Sequence, residues 1–286
     1  MKTAATPAAL VSWLKGRRHH GIVFVPTMGA LHEGHASLIR RARRLAGADG
    51  TVVVSVFVNP TQFDRKDDFS RYPRTIAADR AVCHRAGGDL VFHPSASSMY
   101  GADSSVTITE KDLSQGLCGA SRPGHFDGVC TVVAKLFHLV EPDIAVFGEK
   151  DWQQLAVVRR MVRDLKFPVQ IVGCPTVREE DGLAMSSRNR RLTAEERAVA
   201  PRIYQALVAA SMQAESGEHS VARLRRGLLG DLAAIPGAEV DYAEIVEEET
   251  LRPLGRLTPG VKGRALAAVR FGPVRLIDNL PIRLPA

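Results

Sequence analysis

The chain has 286 residues, of which 45% are hydrophobic and 24% are charged, and its net charge is +7. This near-average composition excludes a collagen-like, coiled-coil or disordered protein, and no apolar run reaches the roughly 18 residues of a membrane-spanning helix. The amino terminus has no signal-peptide pattern, so we expect a cytoplasmic protein without a membrane partner. The positive charge suits an anionic partner, which is either a nucleic acid or a small phosphorylated or carboxylated molecule.

The first two-thirds of the chain alternates β-branched segments with amphipathic helical patterns. Strands are predicted at residues 21–26, 51–58, 89–92, 143–148 and 169–173. Helices are predicted between them, for example over residues 129–140 and 153–165. Strands that alternate with helices indicate an α/β domain, a doubly wound parallel sheet of the Rossmann-like type.

The pattern changes near residue 176. Thr193 and Glu196 have the spacing of a capping box, which predicts a helix from there towards Ala210. Three further elements are expected: a helix over 221–235, a strand over 239–247 and a hairpin of 265–270 with 274–277. We therefore predict a Rossmann-like domain over residues 1–176 and a smaller α+β domain over residues 177–286.

The strongest chemical signal lies between the first predicted strand and the next helix. Its sequence is Pro26-Thr27-Met28-Gly29-Ala30-Leu31-His32-Glu33-Gly34-His35. In an open α/β sheet, ligands bind where strands end and helix N-termini offer free N–H groups. The glycines allow a phosphate close to the backbone, and His32 and His35 would lean to one side of a first helical turn. A zinc site is a competing interpretation of the pair, although the H-E-x-x-H spacing and a clear third ligand are missing.

Four later segments join this motif in resembling the pantoate–β-alanine ligase (pantothenate synthetase) family of the nucleotidylyl-transferase superfamily. In chain order they are Phe57-Val58-Asn59-Pro60-Thr61-Gln62-Phe63, Arg122-Pro123-Gly124-His125-Phe126-Asp127-Gly128-Val129, Phe147-Gly148-Glu149-Lys150-Asp151-Trp152-Gln153-Gln154, and Arg178-Glu179-Glu180-Asp181-Gly182-Leu183-Ala184-Met185-Ser186-Ser187-Arg188-Asn189. The resemblance covers residues 20 to 195.

The resemblance implies a reaction in two steps, on the pathway to pantothenate and coenzyme A. ATP and pantoate would give pantoyl adenylate and pyrophosphate, and the amine of β-alanine would then displace AMP. The first domain would bind ATP and pantoate, and the second would form a lid over the ATP site. Mg²⁺ would enter mainly on the ATP phosphates, with Asp79 as a weak protein ligand, because Ala78 stands where the family often has a second acidic residue. A homodimer formed through the larger domain is also implied.

The same resemblance assigns the site residues. ATP would be bound by Met28, Gly29, Ala30, Leu31, His32, Glu33, Gly34, His35, Gly148, Glu149, Lys150, Asp151, Val177, Met185, Ser186, Ser187 and Arg188. Among these, His35 is the expected proton donor and His32 its phosphate-binding neighbour. Lys150 and the segment Ser186-Ser187-Arg188 are expected to stabilise the triphosphate.

Pantoate and β-alanine need donors that recognise a carboxylate and hydroxyl groups. The candidates are Gln62, Gln154, Asn59, Arg122 and His125. Gln62 is expected to touch both substrates. No step is assigned to Arg122 or His125, and Arg122 has an alternative role in ordering the loop before the next helix.

Two other functions remain as alternatives. One is a nucleotidylyl transferase that acts on a phosphorylated acceptor and leaves AMP on its product. The other is an RNA-binding module on a synthetase-like fold, motivated by the histidine motif and the positive charge. The arginine run 40–44 fits a solvated helix face, so we expect small-molecule substrates and no nucleic-acid partner.

Overall fold

A computed structural model describes residues 1–64 and 66–285 of the chain, which separates into two compact units. Unit 1 contains residues 1–115, 122–149 and 157–175. Unit 2 contains residues 116–121, 150–156 and 176–286. The last change from unit 1 to unit 2 lies between residues 175 and 176, next to the predicted domain boundary. Two short segments from earlier in the chain, 116–121 and 150–156, also belong to unit 2.

Unit 1 is built on one parallel β-sheet. Its strands are β1 (Lys2–Ala4), β2 (Ile22–Thr27), β3 (Thr51–Val56), β4 (Leu90–Phe92), β5 (Ile144–Gly148) and β6 (Gln170–Cys174). Their order across the sheet is β1-β4-β3-β2-β5-β6. The chain winds outward in one direction from β2 and in the other from β5, which confirms the doubly wound class. The switch point between β2 and β5 is where such sheets bind ligands.

Helices alternate with these strands along the chain. They are α1 (Pro7–Leu14), α2 (Glu33–Ala46), α3 (Lys66–Arg71), α4 (Ile76–Arg85), α5 (Ala96–Met99), α6 (Cys118–Ser121), α7 (His125–Val140) and α8 (Trp152–Asp164). Val23 and Val25 of β2 share a buried cluster with Ile39 of α2. Phe24 meets Phe137 of α7 edge to face, with ring centroids 6.4 Å apart. Successive side chains of β2 therefore enter different packing layers, as a strand buried on both faces requires.

Strand β1 has no counterpart among the predicted elements. It pairs in parallel with β4, where the Lys2 amide donates to the Asp89 carbonyl at 2.8 Å and the His93 amide donates to the Ala4 carbonyl at 2.8 Å. Three residues are too few to show a period of two, so this strand depends on its neighbour rather than on its own pattern.

Unit 2 is an α+β unit with an antiparallel sheet. Its main elements are α9 (Ala194–Val199), α10 (Arg202–Glu215), α11 (Val221–Ala233), β7 (Ala238–Glu247), β8 (Gly263–Phe271) and β9 (Val274–Ile282). The sheet order is β7-β8-β9. Its core joins Leu207 of α10, Leu224 of α11 and Phe271 of β8, all essentially inaccessible to solvent. The predicted smaller α+β domain is thus confirmed as a fold class.

One predicted helix is wrong. The pattern from Thr193 towards Ala210 forms two helices, because α9 ends at Val199 and α10 begins at Arg202. Pro201 lies between them, and proline has no N–H group to continue the hydrogen-bond ladder. The capping box itself is present, since Thr193 Oγ1 accepts from the Glu196 amide at 3.2 Å and Glu196 Oε2 accepts from the Thr193 amide at 2.9 Å.

Within the described part of the chain, no helix combines the length and the apolar character needed to cross a membrane.

Candidate functional site

The loop after β2 is shaped by a buried carboxylate. Gly29 has φ +88° and Ala30 has φ +52°, so two consecutive residues adopt the left-handed region. Asp79, which is 1% exposed, accepts from the Ala30 amide at 3.3 Å and from the Leu31 amide at 2.8 Å. A Cβ on residue 29 would lie 3.1 Å from Asp79 Oδ2. Glycine is needed here both for its backbone conformation and for this close approach.

Asp79 was considered above as a weak ligand for Mg²⁺. Its carboxylate also accepts from the Thr75 hydroxyl at 3.2 Å, so both of its oxygens are engaged by donors of the protein. Among residues 1–64 and 66–285, no group of three or more His, Cys, Asp or Glu side chains is placed to hold a metal ion. These residues do not fit a metal held by the protein, and the structure gives Asp79 a role in ordering the loop.

The histidine pair lies at the N-terminus of α2, next to the switch point of the sheet. His32 is the N-cap residue, and its backbone amide donates to Nδ1 of His35 at 3.3 Å. The two ring centroids are 4.1 Å apart. Because an amide can only donate, Nδ1 of His35 must accept, which places the hydrogen of the neutral ring on Nε2. His35 therefore carries its ring hydrogen on Nε2, beside a helix N-terminus that attracts anions.

Glu33, the residue between the histidines, has different surroundings. It is exposed and forms an ion pair with Arg40, about two turns further along the same helix. Its carboxylate is engaged by Arg40, and contact of Glu33 with ATP stays a prediction.

Gln62 and Asn59 meet in a buried turn after β3. Gln62 is 7% exposed and closes the 3-10 turn Pro60–Gln62. Asn59 Nδ2 donates to Gln62 Oε1 at 3.1 Å and to the Gly128 carbonyl at 3.1 Å. Gln62 Nε2 lies 2.9 Å from the sulfur of Met28. Gln62 thus contacts both Met28 and Asn59, and all three residues are predicted to contact substrates. The Asn59 donor fixes which end of the Gln62 amide is the oxygen.

Arg122 and His125 both contact the main chain of Gln62. His125 Nδ1 donates to the Gln62 carbonyl at 2.8 Å, and Arg122 Nη2 donates to the same oxygen at 3.2 Å. Arg122 Nη1 donates to His125 Nε2 at 3.0 Å, and its Nε donates to Asp64 at 3.1 Å. The guanidinium therefore contacts the Pro60–Gln62 turn through the Gln62 carbonyl, and it contacts the start of α7 through His125. The second contact is compatible with the alternative given above, in which Arg122 orders the loop before that helix.

The charge of Arg122 also acts on Asp64. Burial raises the pKa of this carboxyl, but the hydrogen bond and the positive charge of Arg122 outweigh burial, so that the pKa is lowered overall. Asp64 therefore remains ionised and keeps the guanidinium in place.

Tyr100 is a residue of this site that the sequence did not reveal. Its hydroxyl donates to Asn59 Oδ1 at 2.8 Å and lies 3.3 Å from the Thr61 hydroxyl. Burial raises the pKa of this phenol, so it stays protonated and can serve as a donor. It lies 41 positions after Asn59 and no motif surrounds it, so only the packing of the chain identifies it.

The segment after β5 is divided between the two units. Unit 1 contains Gly148 and Glu149, whereas unit 2 contains Lys150, Asp151 and Gln154. Lys150 Nζ lies 3.9 Å from Asp151 Oδ2, a distance typical of a weak ion pair. Gln154 is partly exposed, and its neighbour Gln153 is buried at 3% exposure. Gln153 is committed to structure, since it accepts from the Cys118 amide at 2.9 Å and donates to the Gly116 carbonyl at 2.8 Å.

Val177 and Met185 face each other in a small antiparallel hairpin of unit 2. The Met185 amide donates to the Val177 carbonyl at 3.0 Å, and Arg178 forms a β-bridge with Ala184. At the tip, Gly182 has φ +93° and a Cβ there would lie 2.6 Å from the ring of Tyr204. The hairpin therefore returns tightly enough to place residue 185 beside residue 177.

The segment Ser186-Ser187-Arg188 directly follows this hairpin. Ser186 caps the 3-10 turn Ser187–Arg191, accepting from the Arg188 amide at 3.2 Å. Asn189 anchors the turn, with Nδ2 donating to Glu179 Oε1 at 2.7 Å and to the Ala184 carbonyl at 3.1 Å. The predicted ATP-binding residues 186–188 are all partly exposed.

Similarity to known proteins extends over nearly the whole chain. A family model for pantoate–β-alanine ligase matches residues 2–281. The pantothenate synthetase of Akkermansia muciniphila is 49% identical over 285 residues, covering 99% of this chain and 100% of that protein. The pantothenate synthetase of Geobacillus kaustophilus is 49% identical over 280 residues, covering 97% of this chain and 92% of that protein.

Solved structures agree with the fold. A crystal structure of the pantothenate synthetase of Thermus thermophilus superposes with a TM-score of 0.91 at 50% identity, covering 98% of this chain and 99% of that chain. The pantoate–β-alanine ligase of Francisella tularensis, crystallised with beta-gamma ATP and β-alanine, has a TM-score of 0.80 at 34% identity, covering 98% and 97%. The similarity therefore includes both units and extends well beyond the five motifs.

Proposed function

Because the chain belongs to the pantoate–β-alanine ligase family, we propose that it joins pantoate to β-alanine through a pantoyl-adenylate intermediate, with release of pyrophosphate and AMP. Membership makes the chain an enzyme of the ligase class, and the family predicted from the five motifs is confirmed. The intermediate, the products and the roles of individual residues are the proposal.

The proposed reaction has two displacement steps. A carboxylate oxygen of pantoate attacks the α-phosphorus of ATP, the bond to the β-phosphate oxygen breaks, and pyrophosphate leaves. The amine of β-alanine then attacks the acyl carbon, the bond to the phosphate oxygen breaks, and AMP leaves while the nitrogen loses a proton. Adenylation is needed because a free carboxylate is a poor acyl donor.

His35 is proposed to stabilise the departing pyrophosphate. Its Nδ1 accepts from the His32 amide at 3.3 Å, so the ring would donate to an anion through Nε2–H. His32 lies at the same helix N-terminus, where the N–H groups of the first turn and the helix dipole also favour negative charge. This tautomer of His35 at the switch point of the sheet is the single observation that carries the proposal, because negative charge develops on the leaving group in the first step.

Lys150 and the segment 186–188 are proposed to bind the triphosphate, and Val177 is proposed to contact adenine through its backbone. These residues all belong to unit 2. The proposal that residues 177–286 form a lid over ATP rests on the resemblance and on the partly exposed position of residues 186–188. A donor segment that closes after ATP has bound would exclude water from the reactive acyl adenylate.

Pantoate is proposed to bind beside Gln62, with Gln154 as a second amide. The carbonyl oxygen of the Gln62 main chain is held by Arg122 and His125, and its side chain is held by Asn59. We therefore propose substrate contact for Gln62 and a positioning role for Arg122 and His125. Rigid support of this kind matters because a small misplacement of a substrate costs a large factor in rate.

Mg²⁺ would be brought by ATP itself. The residues around Asp79 do not fit a metal held by the protein, because its oxygens already accept from Ala30, Leu31 and Thr75. Mg²⁺ commonly binds nucleotide phosphates and retains several waters. No step of the proposal requires a protein ligand to the metal.

The experiment that tests the proposal follows an oxygen atom. The purified chain is incubated with ATP, Mg²⁺, β-alanine and pantoate labelled with ¹⁸O in its carboxylate. We expect AMP that carries one ¹⁸O, together with pyrophosphate and pantothenate in equal amounts.

Two results would contradict the proposal. ADP with label in orthophosphate would indicate an acyl-phosphate route instead. A product that retains AMP would indicate a nucleotidylyl transferase, which is the alternative left open by the motifs.

A further inference from the structure

Two adjacent residues of β9, Asp278 and Asn279, contact two different segments that carry proposed ATP-binding residues. Both are buried, at 5% and 4% exposure. Asn279 contacts the segment of Lys150, and Asp278 contacts the base of the Val177–Met185 hairpin. Neither residue lies in any of the five motifs, and all of these residues belong to unit 2.

The Asn279 amide has one orientation only. Its Oδ1 accepts from Arg264 Nη1 at 2.6 Å, and its Nδ2 donates to the Lys150 carbonyl at 3.0 Å. A guanidinium can only donate and a carbonyl can only accept, so rotation of the amide by 180° would break both contacts. The main chain of Lys150 is therefore held at a defined position by the sheet of unit 2.

Arg264 also contacts Trp152, which lies two residues after Lys150. Its guanidinium carbon lies 3.3 Å from the centroid of the Trp152 ring, and its Nε and Nη2 donate to Glu248 Oε1 at 3.0 and 2.8 Å. The indole nitrogen of Trp152 donates to the Glu248 carbonyl at 3.0 Å. The chain from Lys150 to Trp152 is thus held at two points, the Lys150 carbonyl and the Trp152 ring.

Asp278 supports the other segment in the same way. It accepts from Arg178 through both oxygens, at 2.6 and 3.0 Å, and the guanidinium of Arg178 stacks on Tyr204 at 3.8 Å. Arg178 also donates to the Gly182 carbonyl at 3.1 Å, which joins the base of the hairpin to its tip. A bidentate pair of this type fixes orientation as well as distance.

We propose that Asp278 and Asn279 are positioning residues for ATP, which hold Lys150 and the Val177–Met185 hairpin in a fixed relation on one strand. This inference rests on the proposed function, which assigns phosphate to Lys150 and adenine to Val177. Because the two residues are adjacent on β9, a shift of either ATP-binding segment would have to move the strand. The ATP-binding half of unit 2 is consequently organised before the nucleotide arrives.

The test is Asn279→Asp, measured by steady-state kinetics of AMP formation. The aspartate keeps an acceptor for Arg264 and replaces the donor to Lys150 by an oxygen, which repels the carbonyl. We expect kcat/KM for ATP to fall about 10- to 100-fold and KM for pantoate to change less than about twofold. In a Lys150→Ala background the same substitution should have almost no further effect, because Asn279 acts through Lys150.

Ser211→Ala is the matched control. Its hydroxyl donates to the Pro281 carbonyl of the same strand at 3.2 Å, so the variant also removes one side-chain donor to a backbone carbonyl of unit 2. It should leave kcat/KM for ATP unchanged.

Asp278→Asn should reduce the preference for ATP over GTP, because the hairpin that carries Val177 loses its bidentate support.

The outcomes separate this inference from the proposed function. A wild-type chain that forms no AMP would contradict the proposed function itself. A wild-type chain that forms AMP, with an unchanged kcat/KM for ATP in Asn279→Asp, would overturn the inference alone. Equal losses of kcat/KM for ATP and for pantoate would indicate a general structural role and would also overturn the inference. Additive effects of Asn279→Asp and Lys150→Ala on the free energy of activation would overturn it for the same reason.

Discussion

At the scale of single residues, hydrogen-bond partners decide what each polar side chain can do. The His32 amide makes Nδ1 of His35 an acceptor, so that ring carries its hydrogen on Nε2. The Gln62 carbonyl makes Nδ1 of His125 a donor, and Arg122 makes Nε2 of that ring an acceptor. The two neutral rings therefore carry their hydrogen on opposite nitrogens. This difference in tautomer separates a proposed proton donor from a positioning residue.

The first prediction concerns His35→Ala. We expect the rate of pyrophosphate release to fall about 10²- to 10⁴-fold, which is the range for loss of a positioned acid. Thermal unfolding should remain close to that of the unmodified chain, since the histidine is only partly buried. His84→Ala, at an exposed position of α4, is the matched control and should keep full activity. Near-normal adenylation in His35→Ala would remove His35 from the mechanism.

The second prediction concerns Asp64→Asn and its dependence on pH. Because the pKa of Asp64 is lowered in the folded chain, its ion pair stabilises the fold above the unfolded pKa of about 3.9. This stabilisation is lost as the pH falls through the lowered pKa. The variant should therefore unfold at lower urea concentration than the unmodified chain at pH 7. The difference should be at most about 1 kcal/mol and should disappear in strong acid, because the pair is partly exposed.

The same variant has an expected kinetic effect. Loss of Asp64 frees Arg122 to move away from the Gln62 carbonyl, so KM for pantoate should rise while KM for ATP stays nearly constant. Asp49→Asn, at an exposed loop position, is the control for both measurements. A pH-independent difference in stability would show that the charge of Asp64 is not what matters.

At the scale of elements, the loop between β2 and α2 has a conformation that depends on a residue distant in sequence. Gly29 and Ala30 have positive φ angles, and the Asp79 carboxylate holds the amides that follow. Asp79 lies on α4, which packs against β3. The histidines at the start of α2 are thus positioned by an element outside their own motif.

The third prediction is made for Gly29→Ala. The added methyl group would lie 3.1 Å from both Asp79 Oδ2 and Val56 Cγ1, at a φ angle that alanine adopts only with strain. We expect a loss of about 1–3 kcal/mol in the free energy of unfolding, measured in urea, and a marked loss of adenylation. Gly16→Ala is the control, because its Cβ would meet no atom within 4 Å. Equal stability of the two variants would contradict the proposed strain.

At the scale of the whole molecule, the residues of the proposed site are divided between the units in an order that the sequence does not suggest. Lys150 and Gln154 belong to unit 2, although residues 157–175 return to unit 1. Lys150, Asp151 and Gln154 are therefore part of the same compact unit as the Val177–Met185 hairpin, whereas Gly148 and Glu149 belong to unit 1. Any motion of unit 2 as a body would carry Lys150 and the hairpin together.

The fourth prediction concerns assembly. The family resemblance implies a homodimer, so light scattering at micromolar concentration should give twice the 31.0 kDa mass of the chain. Gel filtration over a range of protein concentrations checks whether the mass depends on dilution. A mass of one chain at every concentration would contradict the dimer.

The sequence by itself determined the fold class, the order of the main strands along the chain and the family. Local patterns are sufficient for these, because buried parallel strands have continuous apolar runs and the five motifs are contiguous. It also predicted the start of α9 correctly from the capping box, and it missed the break at Pro201 because the apolar pattern continues across it.

Only the tertiary structure decided which partner each polar group has. The roles of Asp79, Tyr100, Arg122 and Asn279 follow from contacts with residues that lie more than about 40 positions away in sequence. A side chain's orientation and the hydrogen bonds it can still form depend on atoms that folding brings next to it. Sequence spacing describes neighbours along a helix or a strand, and it has no information about these distant donors and acceptors.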